Sequence, residues 1–441
     1  MRPPYRRFIR WMLPGLNIKR WLILAFVSMG CVVIAVLYAF GVDISYMLHE
    51  AVPLPRVASH LATILLGLGG FAGFGLSLWR LVRSIARALA PSTSDKPSDL
   101  IFRKRVLERG PDIVAIGGGT GLSTLLRGLK GLTSNLTAVV TVMDDGGSSG
   151  RLRAEAATLP PGDVRNCILA LADDEAQLSE FFQHRLRAPD ALEGHALGNL
   201  LLVGLEQATG GFDRAIEAMS QFLNIRGTVL PATLQDTQLI ATMEDGSSVT
   251  GESRIAADPR GIAKMALEAS PVVPYERVLQ AIADADLLLL GPGSLFTSLI
   301  PNLLVEGIAE AVESAPGEKL LIANLMTQPG ETDHLTQAEH LQALNEYIMV
   351  SRFDGILVNA APPSRDWLDI YLDEAASPVR DDLGDGSAFS LEVHRADLLG
   401  TAHWAGKETL KHDPEKLAKA IAAHTRIFAG LRGVPSESSN P

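Results

Sequence analysis

Two long apolar runs open the chain, and short apolar runs alternating with helical patterns fill most of the rest. Trp21 to Phe40 reads WLILAFVSMGCVVIAVLYAF, twenty residues without a charge, the length a helix needs to cross a hydrocarbon core of roughly 30 Å. Val57 to Trp79 is a second uncharged run, rich in glycine. Secretory signal peptides have shorter apolar cores, so the pair predicts a permanent transmembrane hairpin. Gly69 and Gly73 either form a small-xxx-small contact between its helices or fall together by chance. A polar linker, PSTSDKPSD at 91–99, follows. Residues 100–109 (LIFRKRVLER) suit a short helix on anionic headgroups or a solvated lead-in helix equally well.

From Asp112 onward the runs DIVAI (112–116), LTAVVTV (136–142), DLLLL (286–290), KLLIAN (319–324) and GILVN (355–359) are separated by helical patterns. Near-continuous apolar strands between helices predict an α/β, Rossmann-like, doubly wound and mainly parallel sheet covered on both faces. Residues 225–256 alternate and turn at Glu244-Asp245-Gly246, which predicts a small antiparallel β insertion. The expected organisation is a cytoplasmic N-terminus with two membrane helices over 1–90, a linker and juxtamembrane helix over 91–110, a binding domain over 111–430, and a disordered tail over 431–441.

Charge sharpens this division. Residues 1–110 carry a net +10, whereas the remaining chain carries −21. Arginines and a lysine precede the first run (Arg2, Arg6, Arg7, Arg10, Lys19, Arg20), Arg80, Arg83 and Arg87 follow the second, and only Arg56 lies between. The positive-inside rule then puts both ends, and the large domain, in the cytoplasm of a cell-membrane protein. An acidic domain lacks the footprint that phosphate backbones require, which excludes nucleic acid as the main partner. Two cysteines, Cys31 and Cys167, supply neither a disulfide framework nor a cysteine metal site.

In a parallel sheet ligands bind beyond the carboxyl ends of the strands, so the loops there carry the candidate chemistry. Gly118, Gly119, Thr120 and Gly121 follow the first strand in GGGTG and open a helix, whose free amides suit a phosphate. This is neither a dinucleotide fingerprint, since Leu122 stands where Gly or Ala belongs, nor a P-loop, since no lysine follows. After the second strand come Asp144 and Asp145, able to receive hydroxyls or hold a metal, then Ser148, Ser149 and Arg151 as donors; the other reading is an ordinary Asp-Gly turn. Asp163 either caps a helix or, with Arg165 and Asn166, meets an anion. His195 and Asn199 lie four apart and are read on one helix face, as ligand contacts or as structure. Gly291, Gly293 and Ser294 in GPGS form a second potential anion nest. Thr327 and Gln328 lie in the loop 326–332, which is read first as a plain loop and otherwise as one whose Thr and Gln read a base or sugar.

Together, IGGGTGLSTLLRGLK, TVMDDGGSSGRLR, PGDVRN, GHALGNLLL, LGPGSLFTSLIPNLL and NLMTQPGETD resemble the gluconeogenesis factor (YvcK-type) family, related to 2-phospho-L-lactate transferase in the CofD-like superfamily. The resemblance covers nearly all of 111–430; the membrane hairpin lies outside it. For the factor branch it implies a UDP-sugar-binding regulator of cell shape, envelope synthesis and carbon metabolism, with no established catalysis. For the transferase branch it implies attack by a flavin-side-chain hydroxyl on a guanylylated phospholactate, with Mg2+ assisting and GMP leaving. Asp144 and Asp145 match the acidic pair near the acceptor in that branch and are the catalytic candidates if the chain is an enzyme. The expected partners are a UDP-sugar or other nucleotide, membrane lipids, envelope-synthesis proteins and further copies of the chain.

Overall fold

The computed structural model of the chain describes residues 18–39, 56–89, 106–187, 192–373, 375–404 and 407–429. These fall into two compact units divided between Lys104 and Arg105. Arg2, Arg6, Arg7 and Arg10, the linker at 91–99 and the tail expected over 431–441 lie outside the described residues, as does most of the juxtamembrane segment.

In the first unit, helices α1 (Ile18–Ala39) and α2 (Arg56–Leu89) pack side by side. Each is long and apolar enough to cross a membrane. Their outer faces are apolar, with Leu22, Ile23, Phe26, Leu61, Leu68 and Phe71 exposed, a pattern that water disfavours and lipid accepts. The contact face differs from the expected pair. A Cβ on Gly70 would sit 2.8 Å from the Ser28 carbonyl oxygen and one on Gly73 would sit 2.6 Å from Ser28 Oγ, whereas Gly69 has open space. Gly67 also faces α1, at Ala35, so the small residues that admit the neighbour are Gly67, Gly70 and Gly73. A three-residue step stays on one face of a helix, and Gly69 is turned off it. At one end, the Arg80 guanidinium stands over the rings of Trp21 and Trp79.

The second unit is built on a seven-stranded sheet ordered β10-β9-β8-β7-β1-β2-β3, parallel throughout. Its strands are β1 (Ile113–Gly117), β2 (Leu136–Val140), β3 (Thr228–Pro231), β7 (Leu287–Leu290), β8 (Glu318–Ile322), β9 (Gly355–Asn359) and β10 (Glu392–Ala396). All five residues of β1 and all four of β7 are buried, as expected where helices cover both faces. The helices that position the site are α3 (Gly119–Leu129), α4 (Gly147–Ala156), α5 (Gly162–Leu171) and α6 (Leu197–Thr209). In α3, Leu122, Leu125, Leu126 and Leu129 are fully buried, and their spacing forms the apolar stripe that seats the helix on the sheet.

Chain order reverses beside β1. From β1 the chain runs outward through β2 and β3, then returns to place β7 on the other side of β1 and continues through β8 to β10. A crevice forms outside the carboxyl ends of strands where the order reverses.

The β insertion comprises β4 (Leu239–Met243), β5 (Ser248–Thr250) and β6 (Ile262–Leu267), all antiparallel, with a short helix α7 (Glu252–Ala256) between β5 and β6. Its start needs correction: TVLP, read as part of the insertion, is β3 at the edge of the parallel sheet. Three of its four residues are buried against the core, and an edge position tolerates its proline. The hairpin of β11 (Leu399–Trp404) and β12 (Lys407–His412), followed by α8 (Pro414–His424), is absent from the sequence reading. Cys31 and Cys167 are free thiols.

Candidate functional site

Parallel pairing sets Ile116 against Leu290, so the loops after β1 and β7 leave the sheet side by side. Gly121 shows how closely they pass: a Cβ there would lie 2.3 Å from the Pro292 carbonyl oxygen. Only glycine admits that approach. Helix α3 starts at Gly119, whose φ is +61°, and its first amides have no intrahelical acceptor. One is engaged, because Gly119 N donates to Asp163 Oδ2 at 2.5 Å. Thr120 and Gly121 supply the next.

The second loop is held from two sides. Gly293 N donates to Asn324 Oδ1 at 3.3 Å, and Asn324 Nδ2 donates to the Gly293 carbonyl at 2.8 Å. Ser294 caps the π-helical turn Leu295–Leu299 by accepting from Thr297 N; such turns recur at functional sites. The Ser294 hydroxyl also bonds the Glu331 carboxylate, which accepts from Thr297 Oγ1 at 3.2 Å. Burial raises the pKa of Glu331, and those hydroxyl bonds oppose the shift.

Between the loops lies a cavity of about 400 Å³, within the range of small-molecule sites. Gly118, Gly119, Thr120 and Gly121 line it from the first loop, and Gly293 and Ser294 from the second. Three further walls arrive from distant segments: Asn324, Met326, Gln328 and Glu331 after β8, Glu252 from α7, and Leu410, Lys411 and His412 from β12. Lys411 is the only lysine or arginine among the described residues of this lining, and it is half-buried. The His412 imidazole is buried, which lowers its pKa to about 4 despite a hydrogen bond to the Ala323 backbone. The segment after β8 was already readable as a polar loop; Glu252 and the β12 residues have no local sequence signal.

Asp144, Asp145, Ser148, Ser149, Arg165, Asn166, His195 and Asn199 do not line this cavity. Ser148, His195, Asn199, Arg165 and Asn166 form a hydrogen-bonded network, and Asp163, in the field of Asp144 and Arg165, reaches from beside it to the first glycine loop. Asp144 Oδ1 accepts from Gly146 N at 2.8 Å. Burial raises the Asp144 pKa, while that amide and the Ser149 hydroxyl oppose the rise. Ser148 Oγ, buried, meets His195 Nδ1 at 3.0 Å and accepts from Asn199 Nδ2 at 3.1 Å. Arg165 Nη1 donates to Asn199 Oδ1 at 2.6 Å and Nη2 to Asn166 Oδ1 at 2.9 Å. Desolvation, aided by Arg185, lowers the Arg165 pKa to about 10, against the pull of Asp163 and Asp144. The Asp163 carboxyl is desolvated too, which raises its pKa to about 6 although the Gly119 amide favours its ionised form.

Several positions differ from the sequence reading. Asp163 does not cap α5; its carboxylate reaches across to the first glycine loop. Asp145 Oδ1 accepts from Ser253 N at 2.7 Å, so this carboxylate ties α7 and the insertion to the loop after β2. The GGSSG segment is the start of α4 rather than an open loop. His195 precedes α6 instead of lying on it, and it meets Asn199 through Ser148. Arg151 is exposed and donates to the Glu193 carbonyl at 2.7 Å. Thr327 is buried against Ser377, whose backbone it bonds in both directions. Gly291, with φ of +87°, shapes its turn without lining the cavity. In each case a nearby backbone group claims the side chain or enforces the turn, a competition that local sequence does not display. For Mg2+, no group of three or more His, Cys, Asp or Glu among the described residues forms a cage, and Asp144 and Asp145 engage different backbone partners.

Residues 113–399 match the family described as 2-phospho-L-lactate transferase CofD. A gluconeogenesis factor of Bacillus subtilis (strain 168) is 45% identical over 311 residues, 70% of this chain and 97% of its own. A Nostoc sp. relative bearing the same factor name in provisional form is 43% identical over 425 residues, 94% of this chain and 92% of its own. The crystal structure of a UPF0052-family protein from Bacillus halodurans superposes with a TM-score of 0.67 at 44% identity, covering 71% of this chain and 99% of that one. With a matched fold, a matched domain and relatives aligned over most of their length, this chain belongs to the CofD family and stands among its gluconeogenesis factors.

Proposed function

We propose that this protein is a membrane-anchored regulator whose large unit binds a nucleotide sugar of the UDP class. The observation that carries the reading is the shared cavity: the glycine loops after β1 and β7 open onto one space, with a helix start and a single lysine to receive phosphate. A helix N-terminus attracts anions, and among the described lining residues Lys411 adds a basic group, its pKa lowered by burial and by Arg127. A regulator also fits the chemistry of the acids. Asp145 is engaged by Ser253 and the Asp163 carboxylate by Gly119, so neither is poised over a reacting hydroxyl as a general base must be. The two helices long and apolar enough to cross a membrane support the anchor, and the flanking arginines favour a cytoplasmic binding unit by the positive-inside rule.

The test is a thermal-shift panel on the full chain in detergent with UDP-N-acetylglucosamine, other UDP-sugars, GDP, GTP and NAD. A ligand at about 100 times its Kd stabilises the fold by about 2.7 kcal/mol, so a UDP-sugar should raise Tm more than GDP, GTP or NAD. A panel in which NAD or GTP alone shifts Tm would overturn the reading. The CofD match motivates a second reading, transfer onto an acceptor hydroxyl with Asp144 as base. Turnover of a guanylylated phospholactate by the wild type, lost in Asp144→Asn, would favour it.

A further inference from the structure

Two buried polar atoms in the cavity lining, Gln328 Oε1 and His412 Nε2, lack a hydrogen-bond partner among the described residues, and the half-buried Glu252 lines the same space. Glu252 belongs to α7 of the insertion, Gln328 to the loop after β8 and His412 to β12. Leaving buried polar groups unpaired costs free energy, and two such atoms converging from separate segments, with Glu252 on a third wall, call for a common partner. Asp145 serves this arrangement, since its bond to Ser253 N fixes the residue next to Glu252.

The cavity is also polarised. Burial, then the fields of Asp144, Asp163, Glu331 and Asp145, hold the Glu252 carboxyl well above the ordinary carboxylate range. Phosphate is favoured at the α3 start and Lys411, on other walls. A carboxyl held towards its protonated form can both donate and accept hydrogen bonds, as hydroxyl- and amide-bearing groups require. The His412 imidazole, whose pKa burial lowers to about 4 and which is thus neutral at pH 7, offers polar contact without charge.

We propose that Glu252, Gln328 and His412 form the sugar-reading end of the cavity, with Glu252 discriminating a nucleotide bearing a hydroxyl-rich sugar from the bare nucleoside diphosphate. This rests on the nucleotide-sugar reading and adds which end of the ligand each wall takes. It also gives the insertion a role: to deliver one carboxyl to the ligand.

Calorimetry on the full chain in detergent, with UDP and UDP-N-acetylglucosamine as probes, tests it. Loss of one or two such hydrogen bonds corresponds to about tenfold in affinity. Glu252→Ala should therefore weaken the sugar nucleotide by about tenfold while leaving UDP within about twofold, and Glu252→Gln, which retains a donor and an acceptor, should restore most of the difference. Gln328→Ala should act in the same sense. Equal weakening of both probes by Glu252→Ala, or none, overturns the assignment while the nucleotide reading stands. Failure of the wild type to bind either probe overturns both. Glu252→Gln also guards against misfolding, because it preserves shape.

Discussion

At the residue scale, the site is a set of acids held against their ionised state. Asp163 moves from an ordinary 3.8 to about 6 through desolvation, which corresponds to about 3 kcal/mol between protonation states. A raised folded pKa means that the native state holds the proton more tightly, so its stabilising effect is present below about pH 4 and is lost as pH rises through about 6. Asp163→Asn removes the cost of ionisation while keeping an acceptor for Gly119 N. Its Tm advantage over the wild type should be near zero at pH 4, grow to about pH 7 and then level off. A pH-independent difference in ligand-free melting curves would show that the carboxyl is solvated. The acids also explain why a site for phosphate can sit beside so many carboxyls: Glu331, Asp163 and Glu252 all have their pKa values raised by burial.

At the scale of elements, the insertion is attached through a small number of specific bonds. Asp145 Oδ1 receives Ser253 N, while Tyr347 Oη accepts Met265 N at 2.7 Å on the opposite strand. Ser253 is exposed, so its amide deprived of this acceptor loses about 1 kcal/mol, the net worth of an ordinary hydrogen bond. Asp145→Ala should speed hydrogen exchange at Ser253 and across α7 by roughly fivefold, with little change in β1 or β7. Unchanged exchange at Ser253 would contradict the latch. This residue illustrates why adjacent acids read as a pair in the sequence separate in space: Asp144 turns to the amide of its own loop and Asp145 to the insertion.

For the whole molecule, the division between Lys104 and Arg105 predicts separable roles. The Bacillus subtilis relative aligns over 97% of its own length with 70% of this chain, so a chain of that length suffices for the relative. Removing residues 1–104 should shift the protein from the membrane to the soluble fraction and leave UDP-sugar affinity within about twofold. Retention in the membrane fraction would move the anchor elsewhere, and loss of affinity would make the first unit part of binding. The charge split, +10 before residue 111 and −21 after it, belongs at this scale too, since a basic segment favours anionic lipid and an acidic body resists it.

The apolar runs determined by themselves the two helices long and apolar enough to cross a membrane and the five central strands, because hydrophobic length and continuity are local properties. Glycine clustering likewise marked the loops after β1 and β7, since close backbone approach restricts the residue allowed. Strand order was decided only by tertiary structure: nothing local to DLLLL says that β7 returns beside β1 instead of extending the row past β3. That return brings the two glycine loops together at Gly121 and Pro292. Glu252, Lys411 and His412 reach the same cavity from 130 or more positions beyond Gly121, and the identity of such partners is set by packing of the finished sheet, the insertion and the β11–β12 hairpin, which no short window of residues contains.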